Sequence, residues 1–474
     1  MNAIHPSPAQ AQQALPRGLL DQLGNFAHAL RLEDAPEVVR RQARLSILDT
    51  VGCMVAGLAA EESQRFVAVE AQGQPQDAPG GASTVAGPRR LAPQAAARVN
   101  GYLGDVFELN DLTGGHASIA VVPTALALAE AYGAGGRALV EAVIAGIEVT
   151  SRVYAAYYDT MKSYEETGIA PPGIPSTIGS AAAAARLVGL DAKQTGDALA
   201  IAAALAGWCP AEVIFGHGGT IKPMLFGAWP ANVAIQAVAY ASAGFDGPVK
   251  ALESPIGLYA TLAHRFDASR IADPGVWYLA QPRRKQHACC GYIHSALDAV
   301  IALRRRGVDV GSAATIEVGM PGYIIPGVSK TAPPRAPNEA RFHAQYCIAL
   351  AAQGEHVIRP QHSIGFERYL PQVQGLLERV QVREDSQLSH YHQCRVRGLS
   401  AQGQELFELS LKAPKGAPGD PMTDREVVDK FLALCEGGGV PAASLDGYLT
   451  RIETLEQAKE CTWIVREFSD RNKE

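Results

Sequence analysis

The chain has 474 residues, a formal net charge of -6 and a pI of about 6.1. With 47% hydrophobic and 19% charged residues it reads as a globular protein, long enough to bury a large core and divide into two domains. The mild acidity speaks against nucleic acid or an anionic membrane as partner, and no apolar run reaches the ~18 residues of a membrane span.

Residues 1–18 are polar and Pro-containing, a loose tail without the charged-then-apolar pattern of a signal peptide. The eight cysteines include no C-x-x-C pair, which fits free thiols in a reduced cytoplasm and gives no metal-ligand spacing. From 19 to 60 the apolar residues recur at three and four, predicting two helices, with Gly52 and Gly57 permitting close packing. Residues 71–93 read as a loop with a short extended piece at STVAG.

The stretch 100–124, NGYLGDVFELNDLTGGHASIAVVPT, holds most of the candidate chemistry. A helix over 95–112 would put Asp105, Glu108 and Asp111 on one flank. Three neighbouring carboxylates repel, so a buried group would keep one proton. With His116 behind the Gly114–Gly115 turn, they form a candidate acid–base group, Asp111 and His116 being the leading pair. The alternative is a solvated acidic helix end, with Asp111 capping the next turn.

Two helices are predicted over 118–161 around GAGG, then others at 178–188, 194–207, 224–243 and 253–263. FGHGGTIK (215–222) is not a phosphate loop, because Ile221 precedes Lys222 and Pro223 stands where Ser or Thr is needed. After about 270 the texture changes. Strands are expected in 313–327, in QVQGLLERVQVRED and in a hairpin at 393–414, with a helix over 340–354. The fold class expected is mainly α: a large all-helical domain (1–274 and 416–474) interrupted by a smaller α+β domain at 275–415.

Several separated segments carry a resemblance that spans nearly the whole chain. They include Asn100–Gly101 with the following ELND, His116 opening a helix, IKPMLFG (221–227), GFDGP, RKQHACCGYIHSALDA (284–299), NEARFHAQYCIALAAQG and PMTDREVVDKF. In these the chain resembles the 2-methylcitrate dehydratase family (MmgE/PrpD), which also includes cis-aconitate decarboxylases and iminodisuccinate epimerases. The resemblance implies a helical domain joined to an α/β lid, a site between them, a homodimer, and chemistry on small carboxylates without metal or organic cofactor.

Lys222 and Lys285 would then anchor substrate carboxylates, and His116 and His294 would titrate near neutrality. Gly114, Gly115, Gly216, Gly218 and Gly219 would let backbone N–H groups approach an anion. The family pattern is not kept throughout. Asp105 stands where histidine is usual and Glu108 where aspartate is usual, Leu112 replaces a threonine that Thr113 follows, and Ala170 stands for a histidine. His287 and Ala288 replace Tyr-Pro, while Cys290 and His294 are kept. His217 and His287 are outside candidates for the missing histidine, and Tyr164 for the entrance. Cys289 and Cys290 read as packing residues, and His390 and His392 as exposed strand positions.

The expected function is a carbon–oxygen lyase of the dehydratase type, taking a proton next to a carboxylate of a small hydroxy-carboxylate. Its substrate is expected to be smaller or less acidic than 2-methylcitrate. An epimerase or decarboxylase begins from the same carbanion, and a member that binds a metabolite without turnover is the reading of another class.

Overall fold

A computed structural model describes residues 18–75, 78, 80–215, 219–273 and 275–469. The chain is mainly α-helical. Helices Leu19–Ala29, Glu37–Gly57, Pro93–Asp105, Ser118–Ala131, Gly136–Tyr158, Gly173–Val188, Ala192–Leu205 and Trp229–Ser242 pack with Asp424–Gly437, Asp446–Glu453 and Trp463–Ser469 around one hydrophobic core. Ser118–Ala131 is apolar on nearly every face and sits at its centre, as a helix without a polar stripe must. Small residues set the spacing: a Cβ on Gly179 would lie 1.9 Å from Thr150 Oγ1, so Gly173–Val188 and Gly136–Tyr158 touch backbone to backbone.

A second core gathers residues from 289 to 396 with a few from the helical part, among them Ala170, Cys209 and Phe226. It holds a four-stranded sheet. With β1 (Ala82–Thr84) and β2 (Gly87–Leu91) forming a separate hairpin, the sheet comprises β3 (Thr315–Met320), β4 (Val380–Glu384), β5 (Cys394–Leu399) and β6 (Glu405–Leu411) in the order β4-β3-β5-β6. β3 runs parallel to β4 and antiparallel to β5, with Val318 opposite Val382 and Val396. Alternate residues of β3 and β5 are buried, the period-2 pattern of a sheet covered on one face by helices His294–Arg305 and Ala344–Gln353.

The hairpin at 393–414 lies where the sequence places it, whereas the helix expected over 340–354 is broken after Arg341 and resumes as Ala344–Gln353. QVQGLLERVQVRED does not form one strand: Phe366–Leu377 is helical and β4 starts only at Val380. Its apolar residues Val373, Leu376 and Leu377 fit helical spacing equally well, and the helix buries them. His390 and His392 are not exposed strand residues either. They sit in the turn before β5, where His390 stacks on Tyr391 and buried His392 meets the same ring edge-on. Among the described residues no single helix is long and apolar enough to cross a membrane.

Candidate active site

Pro93 opens the helix Pro93–Asp105 at a position where its missing N–H costs nothing. The helix stops at Asp105 rather than running on to 112, so the three carboxylates do not share a flank. Glu108 N–H bonds back to the Asp105 carbonyl at 3.0 Å, and Glu108 adopts φ +56°, the one positive φ outside glycine among the described residues. A left-handed glutamate costs about 1–2 kcal/mol and persists only where its surroundings hold it.

What holds it is charge. Lys285 Nζ lies 2.8 Å from Glu108 Oε2, and Lys222 Nζ contacts Glu108 Oε1. Lys222 also reaches both Asp105 oxygens at 2.8 Å. Lys222 is delivered by a contact between backbones. A π-turn, Met224–Ala228, crosses the helix Pro93–Asp105 so closely that a Cβ on Gly227 would sit 2.2 Å from the Gly101 carbonyl oxygen. Lys285 is delivered by two bonds: Leu112 N–H to the Arg283 carbonyl at 2.7 Å, and Arg283 N–H to Thr113 Oγ1 at 3.0 Å.

Beyond Thr113 the chain turns on Gly114 (φ +58°) and Gly115 (φ +95°) and presents His116. Asn110 Nδ2 stands 2.8 Å from His116 Nδ1. An amide NH2 only donates, so Nδ1 accepts and the ring proton sits on Nε2. Burial, then the two ammonium groups, hold His116 well below the usual imidazole range, and it is neutral. Burial also raises Asp105 to about 7, against the pull of Lys222 and with the push of Glu108. For Glu108 burial works the same way, but Lys222 and Lys285 together win and hold it well below the ordinary carboxylate value.

Glu108, His116, Lys222 and Lys285 share one cavity of about 70 Å³. Facing them are Tyr154, Tyr158, Tyr164, Tyr292, Tyr323 and Tyr391, with Phe226, Phe342 and Cys290. Residues of both cores therefore meet here. Larger clefts open elsewhere; one of about 380 Å³ contains Lys330 and Arg335, but these are engaged by backbone carbonyls and by Glu339. Of the catalytic and substrate-binding candidates, Glu108, His116, Lys222, Lys285, Cys290 and Tyr164 line the site, with Asp105 behind Lys222; Leu112 and Gly115 line it as well.

The others lie elsewhere. Asp111 does not pair with His116; it accepts from Ser118 N–H at 3.3 Å and Ser118 Oγ at 2.5 Å, at the start of the next helix. Thr113 serves the Arg283 backbone, and its residue lines a neighbouring cavity. His287 is wholly buried between Asp298 and the Ile358 N–H. His294 packs on the His287 ring and approaches the Cys289 carbonyl, and burial holds it well below the usual imidazole range. Ala170 belongs to the second core, and His217 lies outside the described residues. Burial pushes the Cys290 thiol up to about 12, which rules it out as a ready nucleophile. Among the described residues no three His, Cys, Asp or Glu side chains are grouped to hold a metal ion.

Sequence reasoning missed five of the six tyrosines. Of these five, only Tyr154 and Tyr158, four apart on one helix, left a trace in the sequence.

Comparison with known proteins adds two family matches. The MmgE/PrpD N-terminal domain matches residues 21–271 and the MmgE/PrpD C-terminal domain residues 287–445. A cis-aconitate decarboxylase of Aspergillus terreus is 24% identical over 451 residues, covering 88% of this chain and 89% of the relative. The cis-aconitate decarboxylase of Mus musculus is 25% identical over 475 residues, covering 95% and 93%. That of Homo sapiens is 29% identical over 256 residues, about half of each chain.

Proposed function

The chain belongs to the MmgE/PrpD family, and from that premise we propose that it is an enzyme acting on a small carboxylate through a carbanion next to the carboxyl group. Lyase chemistry, by loss of water or of carbon dioxide, is the form we favour, the second because its relatives are cis-aconitate decarboxylases. The observation that carries the reading is Glu108 held between two ammonium groups, beside a neutral histidine, in one cavity.

A substrate carboxylate entering between Lys222 and Lys285 competes with Glu108 for the same two partners. As it binds, Glu108 loses part of the charge pairing that suppresses its basicity. A carboxylate freed in this way, in a nearly solvent-free cavity, is suited to take the proton from the adjacent carbon. The ammonium groups then carry the charge that moves onto the substrate carboxylate. His116 Nε2–H is a donor and not a base: it passes its proton to a departing hydroxyl and regains one from Glu108, which took it from carbon, so water leaves and the ring ends neutral. When carbon dioxide is lost instead, the electron pair of the broken C–C bond stays on carbon, which takes the His116 proton, and solvent returns one to the ring. An epimerase would stop at the shared first step and return the proton to the other face. The reaction proposed uses side chains alone.

The test is solvent deuterium exchange at the carbon next to the carboxyl group, followed by NMR across a panel of hydroxy- and unsaturated carboxylic acids. Exchange should fall at least 100-fold in Glu108→Gln, which keeps size but not basicity. Exchange at the wild-type rate in that variant removes Glu108 from its role, and binding without exchange or product favours a metabolite-binding protein.

A further inference from the structure

Both ammonium groups in the cavity are paired with carboxyl groups before any ligand arrives. Its charged lining, among the described residues, is Glu108, Lys222 and Lys285, and Asp105 takes a further share of Lys222 with both oxygens at 2.8 Å. Two ammonium groups thus face two carboxylates, all four side chains nearly inaccessible to solvent. Two other buried cations have partners of their own: Arg341 pairs with Glu62, and Arg284 bonds Gln42 and Ser46. Half-buried Arg283 stands behind the tyrosines, outside the cavity lining, with Nη1 3.4 Å from the Tyr391 hydroxyl.

The opposite wall carries no charge. Several tyrosine hydroxyls are already engaged: Tyr164 with Tyr292 at 2.9 Å, Tyr158 with His390 at 3.4 Å, and Tyr323 with the Tyr391 N–H at 3.0 Å. What a ligand meets there is mostly uncharged ring surface, continued by Phe226, Phe342, Met161 and Ile214. A first carboxylate can be held by the lysines as it displaces Glu108. A second or third would be buried against rings without a cation, which costs several kcal/mol.

We propose that this cavity selects a monocarboxylate whose remaining body is uncharged and apolar or aromatic, and rejects di- and tricarboxylates. The proposal rests on the reading of the cavity as a carboxylate-handling active site.

Calorimetric titration of the full chain with 3-hydroxy-3-phenylpropanoate, malate and citrate, with deuterium exchange measured on each, tests both statements separately. The expected result is binding of the phenyl monocarboxylate at least tenfold tighter than either polyacid. Equal or tighter binding of malate or citrate overturns the selectivity, and leaves the proposed reaction standing if their protons exchange. Tenfold tighter binding of the monocarboxylate without exchange upholds the selectivity and removes the reaction. No binding by any of the three overturns the proposal. In Asp105→Asn one carboxylate no longer draws on Lys222, so affinity for malate should rise about tenfold relative to the monocarboxylate. An unchanged ratio shows that the charge balance does not set selectivity and overturns the proposal.

Discussion

At the scale of single residues, the buried acids and the histidine are governed by their immediate partners. Asp111 is the simplest. Burial raises its carboxyl to about 6 even though Ser118 donates two hydrogen bonds to it. Because that value lies above the ordinary ~3.9, the folded state binds this proton more tightly than the unfolded chain. The contribution of Asp111 to stability therefore falls as pH rises from about 4 to about 6, and levels off above. Asn cannot titrate. The stability of Asp111→Asn relative to the parent should thus improve across that window, by on the order of 2 kcal/mol, in urea unfolding between pH 4 and 8. A difference that stays constant with pH would contradict the assignment. For His116 the partner is Asn110, whose amide sets the tautomer. Asn110→Asp turns that donor into an acceptor and draws the ring proton to Nδ1. Nitrogen NMR of the ring should report the swap, and turnover should fall by about 10²–10⁴, the usual worth of a positioned acid, with the fold unchanged. Retention of the Nε2–H signal in that variant would mean something else fixes the ring.

Elements place these residues, and here the balance between what was legible and what was not has physical causes. The helix boundaries near Gly133–Gly136 and Gly189 were readable, because glycine ends or begins a helix by its own backbone freedom. So were β5 and β6, whose alternation and turn are local signals. The end of the helix at Asp105 had no such mark. No glycine or proline follows, and the left-handed Glu108 is imposed by ammonium groups 114 and 177 residues away in the chain, as the sequence separations of 222 and 285 from 108 show. The tyrosine wall was invisible for the same reason: Tyr154, Tyr292, Tyr323 and Tyr391 come from four separate segments. Family resemblance found the lysines, whereas their partners required coordinates. Glycine at 227 offers a test at this scale. Gly227→Ala drives a Cβ into the Gly101 carbonyl, both of them backbone, so the π-turn must move and Lys222 with it. It should cost about 2 kcal/mol or more and lower turnover. Gly375→Ala is the control, since a Cβ there meets nothing within 4 Å on a helix. It should be neutral or stabilising by up to about 1 kcal/mol. Equal thermal midpoints for the two variants would show that the crossing is not tight.

For the molecule as a whole, the decisive feature is that the site lies where two hydrophobic cores meet and is almost sealed. Glu108 is 4% exposed, His116 7%, Lys222 2% and Lys285 0%, so no ligand reaches them without movement. Few polar contacts join the separate chain segments that make up the tyrosine wall. Tyr164, on the four-residue helix Tyr164–Thr167, meets Tyr292, on the turn that leads into His294–Arg305, through a hydroxyl–hydroxyl bond of 2.9 Å. Both phenols are neutral, with burial pushing Tyr164 up to about 12, so the bond is an ordinary one worth about 1 kcal/mol. A contact of that size is small against the packing of either core but large for an opening that must occur in every turnover. Tyr164→Phe and Tyr292→Phe each remove it without changing the ring surface that faces the cavity. Both variants should therefore keep the parent's global stability to within about 1 kcal/mol while opening about fivefold more often, as 1 kcal/mol implies. Hydrogen–deuterium exchange is the measurement. Peptides covering 163–168 and 289–293 should exchange faster in both variants, and those from the buried helix Ser118–Ala131 should not. The double variant should be no faster than either single one, because the two changes remove one and the same bond. Additive acceleration, or acceleration confined to one of the two segments, would show that the segments open independently and that this hydrogen bond does not join them.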